Sequence, residues 1–220
     1  MIMTAFIWDL DGTLIDSYQA IMKALEVTYK AYDFHDWDKK TIYAYILQES
    51  VGQLLEKKSK ETGIALSQLR DFFSDEQTKR DDSIKLVPSA KMTLAWADYH
   101  GIQQFMYTHK GISTQAVLEN LGIKHYFTEI LTGDSGFERK PHPEGIHYLM
   151  KKYNLKPSET YYIGDRKLDV EVARNAGIFS INLTQPTNLI NQNIQDLLEI
   201  KTLFSKENEI QIDGSAKNTI

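Results

Sequence analysis

The chain of 220 residues contains no cysteine. That absence excludes disulfides, thiolate metal sites and a cysteine nucleophile. No apolar stretch approaches the roughly 18–20 residues that a helix needs to span a bilayer, and Met1-Ile2-Met3-Thr4 lacks the basic and apolar segments of a signal peptide. A cytoplasmic location without membrane contact is therefore expected. Lys/Arg-rich stripes are missing too, and the formal net charge is −5, which speaks against a nucleic-acid partner. Two short basic runs, Lys57-Lys58 with Lys60 and Lys151-Lys152, read as solvated helix faces. Internal repeats are absent. Hydrophobic residues make up 42% and charged residues 25%, an ordinary globular balance. The length fits one large domain, or one domain with a sizeable insertion.

What is present is a rhythm. Short apolar runs at Ala5-Trp8, Gln104-Tyr107, Glu129-Leu131, Tyr161-Ile163 and Phe179-Leu183 predict strands. Helical periods fall between the later ones: Ser89-His100 stopped by Gly101, Ser113-Leu121 stopped by Gly122, Pro143-Tyr153, and Leu168-Ala176 stopped by Gly177. Alternating strands and helices predict an α/β fold with a mostly parallel sheet. Residues 17–85 break the rhythm and show no convincing strand. Helical spacing runs from Tyr18 through Tyr32; Ser50 and Gln53 form a capping-box pattern before a helix that Gly63 can end; and Leu66-Thr78 reads as a further helix. An all-helical insertion beside the end of the first strand suits a lid. The polar stretch 206–220 reads as a loosely held tail.

Ligands of open parallel sheets bind outside the carboxyl ends of the strands. Asp9-Leu10-Asp11 follows the first predicted strand, Thr108-His109-Lys110 the second, Lys140-Pro141 lies past the third, and Gly164-Asp165 with Asp169 follows the fourth. These groups should meet at one edge. Four carboxylates, a hydroxyl and an ammonium suit phosphoryl transfer with Mg²⁺, a hard cation that takes oxygen ligands. Asp9 and Asp165 can hold the metal, and Thr108 and Lys140 can hold phosphate oxygens. An aspartate can attack phosphorus, and a carboxyl two residues on can protonate the leaving group and then activate water. Taken singly, each element has an ordinary explanation: Asp-Gly a tight turn, Thr108 a loop residue, Gly164-Asp165 a helix start. Five other histidines, His35, His100, His125, His142 and His147, have no ligand spacing and read as surface or packing residues.

The stretches "DLDGTLIDS", "FMYTHK", "RKPHP" and "YYIGDRKLDV" resemble the four motifs of the haloacid dehalogenase-like hydrolase superfamily, over roughly residues 4 to 200. The likeness points to its phosphoglycolate phosphatase-like and β-phosphoglucomutase-like branch. It implies a Rossmann-like core from residues 1–16 and 86–205, with a small helical C1 cap at 17–85. It implies Asp9 as nucleophile and Asp11 as general acid/base, with Thr108, the backbone N–H of His109 and Lys140 on phosphate. Metal binding falls to Asp9, Asp11 (through its backbone carbonyl), Asp165 and Asp169, the last by orienting the metal shell. Two residues depart from the usual pattern: His109 stands where Asn or Ser is common, and Arg166 where a small Ser or Thr is frequent.

The expected activity is Mg²⁺-dependent hydrolysis of a small phosphorylated metabolite through an aspartyl-phosphate, by a monomer or weak dimer. A phosphomutase shares every core residue. A phosphonatase, which would need a Schiff-base lysine, and a non-catalytic binding module stay open as alternatives. Within the cap, Ser50 and Gln53 are candidates for choosing the substrate. The loop "LQESVGQ" has no Arg or Lys, which argues against a second anion site there; Lys57, Lys58 and Arg80 could still contribute.

Overall fold

The computed structural model describes residues 4–205; the tail expected at 206–220 lies outside them. Strands β1 (Ala5–Trp8), β4 (Gln103–Tyr107), β5 (Glu129–Leu131), β6 (Thr160–Gly164), β7 (Phe179–Asn182) and β8 (Asn191–Asn193) form one sheet in the order β5-β4-β1-β6-β7-β8. Every neighbouring pair in it is parallel. Strand β1 is central, and the chain winds outward from it to both sides. Its loop therefore opens onto the crevice where such sheets hold ligands.

The alternation of side chains along β1 explains its apolar run. Phe6 and Trp8 face one way, into a core shared with α5 (Ala90–Tyr99), α6 (Thr114–Asn120) and the helical residues 199–205. Ala5 and Ile7 face the other way, against α7 (Glu144–Tyr153) and α8 (Lys167–Ala176). A strand covered on both faces has no position for a polar side chain until it ends. That is why Asp9 comes directly after Trp8. The sixth strand, β8, escapes the sequence pattern because Asn-Gln-Asn carries no apolar alternation; it is held by backbone pairing to β7 at the sheet edge.

Between Asp16 and Lys85 the chain makes four α-helices: α1 (Tyr18–Ala31), α2 (Lys39–Gln48), α3 (Val51–Thr62) and α4 (Leu66–Thr78). They have a core of their own, built from Ile21, Leu25, Tyr29, Ile46, Leu55 and Leu69. Helix α2 gives a weak sequence signal because only Ile42 and Ile46 of its ten residues are buried. Short strands β2 (Ile15–Asp16) and β3 (Lys85–Leu86) pair antiparallel and bring the two ends of the insertion together. The expectation of a wholly solvated basic face at Lys57-Lys60 is corrected at Lys58. Its ammonium is buried, bonded to Asp36 and to Glu61, and lies over the Tyr29 and Phe34 rings. No helix of the described residues is long and apolar enough to cross a membrane.

Leu55 is 1% exposed at the centre of the insertion. Leu55→Ala should cost about 2–5 kcal/mol through lost burial and a residual cavity. A shift of the urea midpoint at unchanged slope measures it, and a midpoint equal to the parent's would show that the helices are not packed as described.

Candidate active site

The site begins with a turn. After Trp8 the chain must leave the sheet while presenting two acids. Gly12 makes this possible: its φ is +84°, and a Cβ there would collide with the Asp165 carboxylate and the Tyr18 ring. Only glycine meets both demands. At the neighbouring strand end, Gly164 lies so close to Asp169 that a side chain would displace that carboxylate.

Asp9 is 1% exposed and Lys140 has no exposed side-chain surface. The Lys140 ammonium donates to Asp9 Oδ1 at 2.9 Å, to Asp169 Oδ1 at 2.8 Å and to the Tyr162 hydroxyl at 2.9 Å, using all three of its donors. Asp169 Oδ2 accepts from the backbone N–H groups of Asp165 and Arg166, at the start of α8. Both its oxygens are thus engaged; burial pushes its carboxyl up, but the charges of Lys140 and Arg166, with these hydrogen bonds, hold it below the ordinary range. Asp165 accepts from the Thr13 hydroxyl at 3.1 Å and from the Tyr18 hydroxyl at 2.7 Å. Tyr18 opens α1, so the helical insertion touches the acidic cluster directly.

Asp9 and Asp165 titrate upward. Burial is the main cause for both, Lys140 partly offsets it at Asp9, and the neighbouring carboxylates add to it. Their carboxyls lie at about 6 and about 7 respectively. Oxygens of Asp9, Asp165 and Asp169 come within 4.8 Å of one another, while Asp9 Oδ2 and Asp11 Oδ1 are buried acceptors with no hydrogen-bond partner. The Lys140 ammonium and the Arg166 guanidinium do not neutralise three carboxylates. An all-oxygen donor set with orphaned acceptors fits a hard divalent cation.

On the other side of Asp9, the Thr108 hydroxyl oxygen accepts from the Lys110 N–H at 3.1 Å, leaving its own proton to donate elsewhere. The open question at His109 has a geometric answer. Its Nε2 accepts from the Lys140 N–H at 2.9 Å, so the ring braces the β4 loop against the Lys140 loop, with Nδ1 buried and unpartnered. Burial first, then the charges of Lys140, Arg139 and Arg166, hold its pKa well below the ordinary value, so the imidazole is neutral. Arg166, the other departure from the usual pattern, turns toward the acids: its guanidinium stands 3.9 Å from Asp9 Oδ2. Lys110 turns away and forms a buried ion pair with Asp81 at 2.7 Å, tying the β4 loop to the exit of the insertion.

The site residues expected from sequence thus converge, with differences at the insertion. A cleft of about 330 Å³ lies between it and the sheet end, lined by Asp11, Tyr18, Ser50, Arg70, Arg139 and Arg166, among others. Ser50 reaches the cleft, but its oxygen accepts from the Gln53 N–H as the N-cap of α3. Gln53 lines a separate surface hollow with Tyr45 and Lys57. Lys58 and Arg80 are held by carboxylates of the insertion itself. Sequence reasoning missed Tyr18, Tyr162, Arg70 and Arg139. Only Arg139 left a trace, as a second cation beside Lys140.

A family model of haloacid dehalogenase-like hydrolases matches residues 6–183. The phosphoglycolate phosphatase of Vibrio vulnificus (strain YJ016) is 30% identical over 190 residues, covering 82% of this chain and 83% of that one. A haloacid dehalogenase-like family hydrolase from Streptococcus pneumoniae superposes with a TM-score of 0.73 at 25% identity, over 92% of this chain and 98% of its own. CbbY from Rhodobacter sphaeroides, solved in complex with phosphate, shares the fold with a TM-score of 0.77 at 17% identity, over 90% and 96% of the two chains. The chain belongs to the haloacid dehalogenase-like hydrolases. It is an enzyme, a phosphatase of that family.

Lys140→Met removes the ammonium and leaves two carboxylates buried. The loss should be about 3–5 kcal/mol at pH 8. It should shrink toward pH 5, because without the cation both carboxyls shift further up and protonate in the folded state as pH falls. Urea melts at the two pH values test this, and an equal loss at both would contradict it.

Proposed function

We propose that this phosphatase is Mg²⁺-dependent and hydrolyses a small phosphorylated metabolite through an aspartyl-phosphate on Asp9. The observation that carries the reading is the asymmetry of the Asp9 carboxylate. One oxygen is fixed by Lys140, and the other is buried without a hydrogen bond, 3.9 Å from the Arg166 guanidinium. A nucleophile oriented through one oxygen and bare at the other needs no further desolvation before attack.

The bare oxygen of Asp9 attacks phosphorus, and the bond from phosphorus to the leaving oxygen breaks. Asp11 gives its proton to that oxygen. It then takes a proton from water as the water attacks the phosphorus, which breaks the bond to Asp9 and returns the carboxylate. The Thr108 hydroxyl, with its proton free, and the His109 N–H donate to phosphoryl oxygens; Lys140 keeps Asp9 ionised and aimed. The neutral His109 ring holds the Lys140 loop in place for this. Asp9, Asp165 and the Asp11 carbonyl would hold Mg²⁺. Asp169, with both oxygens engaged, would act on it through water and through Lys140. When bound, the ion offsets the clustered negative charge and lets a phosphate dianion approach. The helical insertion serves as the cap over this chemistry, with the β2–β3 pair as its stem.

Phosphate release from a panel of phosphomonoesters should require Mg²⁺ and stop with chelator. Asp9→Asn should lower turnover by roughly 10³-fold or more, and Asp11→Asn by about 10²–10⁴-fold. Turnover that survives chelation or the Asp9 substitution would refute the mechanism. Protons and metal compete for Asp9 and Asp165, whose carboxyls lie at about 6 and about 7. The rise in melting temperature on adding Mg²⁺ should therefore be small at pH 5 and large at pH 8. A rise independent of pH would show that the ion binds elsewhere.

A further inference from the structure

The reaction described above gives Arg166 no task, yet few side chains in the site are held so firmly. Its backbone is fixed on both sides: the N–H donates to Asp169 Oδ2 at 3.0 Å, and the carbonyl accepts from the Asn182 side chain at 3.0 Å. The base of the side chain thus stands on the start of α8 and the end of β7. From there the side chain, 11% exposed, reaches toward the end of β1. Its guanidinium stands 3.9 Å from Asp9 Oδ2, and the residue lines the cleft.

A guanidinium carries five N–H donors and no acceptor. In Arg166, Nε is buried without a hydrogen-bond partner. Among the described residues, Asp9 Oδ2 is the only carboxylate oxygen within 4.0 Å of its nitrogens, and 3.9 Å is too long for a hydrogen bond. The other carboxylate oxygens of the cluster are already engaged. Asp9 Oδ1 and Asp169 Oδ1 accept from Lys140, Asp169 Oδ2 accepts from two backbone N–H groups, and Asp165 accepts from Thr13 and Tyr18. Burial works against the guanidinium charge, but Asp169, Asp9 and Asp165 outweigh it and raise its pKa above the ordinary value. The field of the acids therefore holds this cation without satisfying its donors. Buried donors left unmade are costly, so an acceptor that enters from the cleft is favoured.

Two unsatisfied groups thus face each other. Asp9 Oδ2 is an acceptor without a donor, and beside it stands a guanidinium short of acceptors. A group that offers phosphorus to the first and oxygen to the second suits both. With phosphorus about 3–3.5 Å from the attacking oxygen, the oxygens on phosphorus come within reach of a guanidinium this close. Lys140 cannot fill that role in this arrangement, because its three donors are committed to Asp9, Asp169 and Tyr162. We propose that Arg166 is a further catalytic residue, which donates to the phosphoryl oxygens as the group passes to and from Asp9. The proposal rests on the phosphatase reading above. The planar fork of Arg166 suits paired bonds to those oxygens, and it meets the charge that shifts among them during transfer.

The test has a kinetic and an equilibrium arm. With p-nitrophenyl phosphate and saturating Mg²⁺, Arg166→Gln should lower kcat by about 10²–10³-fold. Arg166→Lys should recover only part of that, because an ammonium lacks the paired donors. Calorimetry supplies the readout without turnover. Vanadate, which takes the five-coordinate form of a phosphoryl group in transit, should bind Arg166→Gln about tenfold or more weaker than the parent. Binding of Mg²⁺ alone should be unchanged or tighter, since a positive charge beside the acids has gone. Parent kcat or parent vanadate affinity in the glutamine variant overturns the assignment. So does a loss that more Mg²⁺ restores, which would make Arg166 a residue of the metal site. The urea midpoint shows whether the variant is folded. Arg166→Lys keeps the charge among the acids and carries the same comparison if the glutamine variant does not fold, with parent vanadate affinity again overturning the assignment. A parent enzyme that binds vanadate but hydrolyses no ester would count against the hydrolysis reading alone, and the vanadate comparison would still decide on Arg166.

Discussion

The site is organised around one ammonium ion in a dry place. Lys140 joins the carboxylates of Asp9 and Asp169 and the Tyr162 hydroxyl, groups from the end of β1, the first turn of α8 and the middle of β6. Those acids exist where they do because β1 is buried on both faces and can become polar only at its end. Once there, they repel. Lys140, with Arg166 nearby, offsets part of that repulsion; burial and the remaining negative charge keep the carboxyls of Asp9 and Asp165 raised, and one oxygen each of Asp9 and Asp11 has no hydrogen bond. That remaining charge accounts for the proposed demand for a metal and for a phosphoryl group brought in by donors instead of by more acids. His109 supports the arrangement from behind, since its ring accepts from the Lys140 backbone and so fixes the loop from which that ammonium projects.

Tyr18 makes the helical insertion part of this electrostatic unit. Its hydroxyl donates to Asp165, and its ring sits over Gly12, so the first residue of α1 is placed by the acidic cluster. Lys110 does the equivalent at the other end, where its buried pairing with Asp81 ties the exit of the insertion to the loop carrying Thr108 and His109. Both junctions of the insertion are thus bonded to the site.

Much of this was legible in the sequence, for a physical reason. The parallel sheet writes its strands as short apolar runs and its helices as capped periodic segments. The residues that follow each run must then gather at one edge, which is how Asp9, Thr108, Lys140, Asp165 and Asp169 could be named together. What the sequence did not disclose depends on approach from elsewhere in the fold. Arg70 is one polar residue on an amphipathic helix, and nothing local shows that its face meets Arg139. Tyr162 alternates with Tyr161 in β6, and only the sheet decides which of the two turns toward Lys140. Lys58 stood in a run of lysines; it is buried against the Tyr29 and Phe34 rings, where it meets Asp36 from the α1–α2 connection and Glu61 of its own helix. In β8 backbone pairing and the Asn191 and Asn193 amides hold the strand, so it shows no apolar alternation.

The central claim is that the bare oxygen of Asp9 becomes covalently bound to phosphorus. Acid-quenching the enzyme during turnover of a phosphomonoester, followed by mass spectrometry of its peptides, addresses it directly. The account predicts one added phosphoryl group on the peptide containing Asp9, present with Mg²⁺, removed by hydroxylamine and absent from Asp9→Asn. Steady phosphate release with no such adduct at any quench time, or an adduct on another residue, would contradict it.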